Sequence, residues 1–109
     1  MQEHNIWSLD KHQDIKALLL LLEQQVGRGR FWLTTELLDP QAVRITPAVA
    51  SPEVSVYLYC YAQPPGHYGV DLEYPRMIEQ EANDQTVRLN ELDVDRTLEH
   101  IILHLELEH

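Results

Sequence analysis

The sequence predicts an α+β domain: an antiparallel four- to five-stranded meander flanked by an N-terminal and a C-terminal helix packed on one face, a two-layer sandwich. Three observations carry this. Segments with apolar residues at helical spacing stand near the two ends of the chain. The stretch between them alternates with period two and is punctuated by proline and glycine. The chain has 109 residues, enough for one domain with one core. Helices that stand only at the ends of a meander bury one apolar sheet face and leave the other uncovered.

The first helix is read from "SLDKHQDIKALLLLLEQQVGRG". Asp10 with Gln13 three residues on makes a capping pair. Ile15, Leu18, Leu19, Leu22 and Val26 form the apolar stripe, and Gly27 and Gly29 supply the stop. Leu20 and Leu21 widen the stripe beyond what one sheet face covers, which fits either a helix buried deeply under loops or a subunit interface that would make a homodimer. Arg30 to Leu38 is a strand by its aromatic and β-branched content, with Phe31, Leu33, Thr35 and Leu37 on one face and Trp32, Thr34, Glu36 and Leu38 on the other. "DPQA", Asp39 to Ala42, is a turn, and Val43 to Thr46 a second strand. Pro47 to Pro52 is a loop, since proline cannot donate to a ladder.

"YLYCYAQPPGHYGVDLEYP", Tyr57 to Pro75, supplies most of the next two strands. Val54, Val56, Leu58, Cys60 and Ala62 share the inner face, and Ser55, Tyr57, Tyr59 and Tyr61 the outer one. With the reversal at Gln63 to His67, the expected pairs are Ala62 with Tyr68, Cys60 with Val70, Leu58 with Leu72 and Val56 with Tyr74. The same register sets Tyr61 against Gly69, Tyr59 against Asp71 and Tyr57 against Glu73. Pro75 to Gln85 reads as a polar excursion, and Thr86 to Leu89 as a fifth strand. Asn90 to Glu106 is the second helix, with Val94, Leu98, Ile101, Ile102 and Leu105 on one side and Asp93 and Asp95 in its first turn. The domain is drawn over residues 1–106. Leu107, Glu108 and His109 read as the start of a vector-derived tag and are set outside function.

Charge narrows the function classes. Residues 1–44 carry five basic and six acidic side chains, residues 45–109 three and twelve, for a net charge of −10. Such a surface repels phosphate, so neither nucleic acid nor an anionic membrane is the expected partner; a basic protein or peptide is. One cysteine permits no internal disulfide and no Cys-x-x-Cys knuckle. "ALLLLL" is too short to span a bilayer and the N-terminus lacks a leader pattern, so a cytoplasmic protein is expected.

The candidate site is the outer face of the hairpin: Tyr57, Tyr59, Tyr61, Asp71 and Glu73. Tyrosine gives rigid contact area with a polar tip, and carboxylates among rings suit an arginine. The remaining features are weaker. His100 and His104 stand four apart on a helix, as two metal ligands can, but no third ligand is fixed and no His-Glu-x-x-His is present. Asp93, Asp95 and Glu99 lack the glycine and spacing of a calcium loop. Cys60 falls mid-strand on the apolar face, where a thiol is buried and inert. "GRG" follows a helix rather than a strand, and no serine stands in a Gly-x-Ser-x-Gly setting. The expectation is therefore a non-enzymatic interaction or regulatory module with no cofactor. The alternative is a small-ligand or enzymatic domain with a pocket between helix and sheet, using His67, His100 or His104. A cavity of about 300 Å³ or more with converging polar groups favours that alternative.

Overall fold

The computed structural model describes residues 6, 11–34, 39–48, 54–73 and 86–107. Helix α1 (Gln13–Val26) leads into strands β1 (Phe31–Thr34), β2 (Ala42–Pro47), β3 (Ser55–Tyr59), β4 (Tyr68–Glu73) and β5 (Thr86–Leu92), and helix α2 (Val94–Leu105) follows. The five strands form one antiparallel sheet in chain order, and the helices pack on one face of it.

Helix α1 buries Ile15, Leu18, Leu19, Leu22 and Val26, the stripe its spacing predicts. Each such side chain contributes about 1.5–3 kcal/mol by leaving water. Leu20 also packs against the core, which leaves Leu21 as the α1 leucine turned to solvent. The helix begins at His12, whose Nδ1 accepts from the Asp14 N–H at 3.0 Å; Asp10 lies outside the described residues. Gly27 ends it at φ 102°, its N–H donating to the Glu23 carbonyl at 2.8 Å. The His12 N–H also donates to the Pro40 carbonyl at 2.7 Å, which ties the start of α1 to the β1–β2 turn.

The hairpin of β3 and β4 is paired two residues away from the expected register. Val56 faces Leu72, Leu58 faces Val70, Tyr57 faces Asp71 and Tyr59 faces Gly69. A shift of two leaves the side chains of the paired strands on their expected faces, because strands repeat every two residues; Ala62, expected on the inner face, is instead an exposed turn residue. The reason for the shift is that β3 stops at Tyr59. The Cys60 N–H donates to the Gln41 carbonyl at 2.9 Å, and Ala62 turns to φ 58°, so the reversal starts earlier than Gln63. On β1, Thr35 to Leu38 lie outside the described residues. Pro47, expected in a loop, closes β2 opposite Phe31.

A second correction concerns Asn90 to Leu92. They complete β5 rather than opening α2. Val70 pairs with Leu89 but Tyr68 with Leu92, so a β-bulge sets Asn90 and Glu91 together across from Gly69. Leu92 then reaches the core, and Asp93 caps α2 by accepting from the Arg96 N–H at 2.8 Å. At the other end, Glu106 adopts φ 55° and ψ 48°. The Leu107 N–H returns to the Ile102 carbonyl at 3.0 Å, and the Leu107 side chain is 2% exposed within the core.

Candidate functional site

The five sequence-chosen residues do gather on the sheet face away from the helices, and the sheet adds arginines to them. Across the five strands one row runs Thr34, Arg44, Tyr57, Asp71, Arg88. Cation, ring, anion and cation thus stand side by side. Asp71 is held in a two-pronged pair by Arg88, with Nε at 2.9 Å from one oxygen and Nη2 at 3.1 Å from the other. Glu73 is held the same way by Arg44, at 2.9 and 3.1 Å, and also accepts from the Ser55 hydroxyl. The Arg44 guanidinium reaches Glu73 diagonally and lies 5.2 Å from the Tyr57 ring centre. The carboxylates that the sequence offers to a partner's arginine are therefore engaged by the protein's own.

Burial follows from this packing. Asp71 is 7% exposed and Tyr59 is 5% exposed. The Tyr59 ring lies 4.8 Å from that of Tyr61 in a stacked arrangement and 5.7 Å from that of Tyr57. It also lies across Gly69, where an added Cβ would overlap it, and its hydroxyl donates to Asn90 Oδ1 on β5 at 3.0 Å. Tyr59 thus spans three strands, and only a glycine beneath it permits this. Trp32, two residues before Thr34 and on the same face, is 40% exposed.

The electrostatics fit an internal network. Burial pushes the Glu73 carboxyl up, but the Arg44 guanidinium and the Ser55 hydroxyl more than offset this and hold it below its ordinary value. Burial raises the hydroxyls of Tyr57 and Tyr59, so both stay protonated. Tyr68, on the inner face, is pushed up to about 12, chiefly by burial, and its hydroxyl donates to the Asp14 carbonyl at 2.9 Å. Burial also raises the Cys60 thiol, the opposite of what a nucleophile needs.

At one end of the outer face, a depression of about 420 Å³ is lined by Tyr59, Tyr61, Ala62, Gln63, Arg88, Asn90 and Glu91. Two of its residues are non-glycines at positive φ, Ala62 and Glu91, both at 58°. Each such residue costs about 1–3 kcal/mol. The Gln63 amide holds the two sides together: its Oε1 accepts from the Glu91 N–H at 2.7 Å and its Nε2 donates to Asn90 Oδ1 at 3.3 Å. Sequence reasoning missed Arg44, Arg88, Gln63, Asn90 and Glu91. Arg88 lies within the expected fifth strand, and only the pairing of that strand with β4 brings it beside Asp71; the bulge had no sequence signal.

A second depression, about 370 Å³, lies between the helices and is lined by Gln25, Asp95, Leu98, Glu99, Ile102 and Leu103. His104 Nε2 lies 2.9 Å from the Glu73 carbonyl oxygen, joining α2 to the end of β4. The His67 ring contacts the Pro65 carbonyl within its own turn. Among the described residues no three His, Cys, Asp or Glu side chains form a metal-ligand set, and no helix is long and apolar enough to cross a membrane. The chain matches no protein-family model, no curated protein and no solved structure.

Proposed function

We propose that this chain is a non-enzymatic interaction module that docks a basic protein or peptide on the outer face of its sheet. The observation that carries this reading is the composition of that face: Trp32, Arg44, Tyr57, Tyr61 and Arg88 share it, with no helix over them among the described residues. Tryptophan, tyrosine and arginine are the residues in which binding energy concentrates at protein interfaces. Here ion pairs hold Arg44 and Arg88, and ring contacts hold Tyr57 and Tyr61, so these four lose little rotamer freedom on docking. The net charge of −10 favours approach of a basic partner.

Glu73→Arg is a poor test, since it would set a second cation against Arg44. Trp32→Ala and Tyr57→Ala are better. Both should keep the far-ultraviolet circular dichroism of the wild type and lower capture of a basic partner at least tenfold in quantitative pull-downs from native lysate. Undiminished capture by both variants would reject the face. A second reading, a small-ligand domain, draws on the 420 Å³ depression and its converging amides, which lie on the open face rather than between helix and sheet.

A further inference from the structure

We infer that the depression at the β5 bulge is the anchor pocket of this face, and that it receives an arginine side chain of the partner. The inference rests on the docking reading above and adds where the partner is gripped and by which group.

The depression combines the features that a guanidinium requires. Tyr61 forms one wall and is stacked on Tyr59, so its ring is a fixed platform for a planar cation. Asn90 Oδ1 is filled by the Tyr59 hydroxyl and Gln63 Nε2, but Gln63 Oε1 takes only the Glu91 N–H and keeps a second lone pair, and the Glu91 carboxylate offers a guanidinium two more acceptor oxygens. Glu91 is the acidic residue of the lining and is exposed. It stands there because the bulge adds one residue to β5, and its positive φ is maintained by the Gln63 amide. Bulges commonly re-aim a side chain beside a binding site.

The sign of the ligand follows from the charges. Arg88 also lines the depression, but its Nε and Nη2 are committed to Asp71, so that pair adds no net charge. Glu91 then leaves the pocket with one negative charge inside a protein of net charge −10. An anionic ligand would meet repulsion near and far, and a cation is attracted by both. Between the two cationic side chains, the flat wall and the paired oxygens of the Glu91 carboxylate favour arginine over lysine.

The probe is a blocked pentapeptide with one central arginine flanked by glycines, titrated into uniformly ¹⁵N-labelled protein. Two further peptides carry lysine or citrulline at the centre; citrulline keeps the shape without the charge. The arginine peptide should shift the amide signals of Tyr61, Gln63, Asn90 and Glu91, and bind at least fivefold more tightly than either of the others. Equal binding by the citrulline peptide would overturn the cation assignment, and equal binding by the lysine peptide the guanidinium assignment. Shifts confined to other strands would overturn the location. These comparisons use the wild-type protein, so they are readable even where a variant folds poorly. Glu91→Asn removes the charge with a residue that tolerates positive φ; it should weaken arginine-peptide binding about fivefold or more, and an unchanged affinity would count against the pocket. If the peptides fail here while Trp32→Ala and Tyr57→Ala still lose the partner, the face binds without this anchor. If the arginine peptide binds as stated and those two variants keep the partner, the pocket holds and the wider face falls.

Discussion

Gly69 carries more of this fold than its size suggests. The Tyr59 ring occupies the space in which a Cβ would stand, and its hydroxyl reaches Asn90 across β4. Gly69→Ala should therefore cost about 1–3 kcal/mol by overpacking. The cost should shrink in a Tyr59→Ala background, where the ring is gone, and urea melts of the four proteins in the cycle would measure the coupling. Additive losses would place the strain elsewhere. Glu73 gives a second prediction at this scale. Its folded pKa lies below the ordinary value, so the stability it lends is fully present above the unfolded pKa of about 4.3. That stability is lost as pH falls through the lower folded value. Arg44→Met should remove about 1–2 kcal/mol at neutral pH, the low end for a charged hydrogen-bonded pair because both partners are partly exposed. It should also flatten the loss of stability between about pH 5 and pH 3, as read from urea melts across that window.

Each end of α2 is set by one side chain or one backbone angle. Asp93 accepts from the Arg96 N–H, and Asp93→Ala should cost about 1 kcal/mol. At the C-terminal end, Glu106 occupies a left-handed position that glycine fills without a Cβ penalty. Two returning N–H bonds, from Glu106 to Leu103 and from Leu107 to Ile102, draw Leu107 into the core. Glu106→Gly should raise stability by about 0.5–1 kcal/mol, measured as a higher urea midpoint at unchanged slope. A fall instead would mean that the glutamate side chain has a role beyond closing the helix. The same logic explains β5, where the bulge lets Leu92 reach the core while Asn90 and Glu91 stay on the outer face.

For the molecule as a whole, burial and charge are separated. Apolar side chains of both helices and all five strands meet in one core on the inner face. The outer face carries two ion pairs, Arg44 with Glu73 and Arg88 with Asp71, and the exposed Glu91 at its end. The acidic excess therefore acts at long range rather than through these two carboxylates. Association with a basic partner should slow several-fold as salt rises from about 50 to about 500 mM, while dissociation changes less. Stopped-flow mixing at several ionic strengths would measure this. A salt-independent association rate would remove steering from the account.

The sequence by itself determined which strand residues face inward and which outward, where the two helices lie to within about a turn, and that the sheet is a meander. These follow from repeats of 3.6 and 2.0 residues, which are local. The tyrosines and carboxylates of the candidate site were legible for the same reason. Only the tertiary structure decided the register of β3 on β4, because a two-residue shift leaves the alternating pattern unchanged and Cys60, just past β3, donates to the Gln41 carbonyl just before β2. It also decided that Asp71 and Glu73 meet Arg88 and Arg44, partners 17 and 29 residues away along the chain. Such pairs depend on how several strands align at once, and no local repeat encodes that alignment.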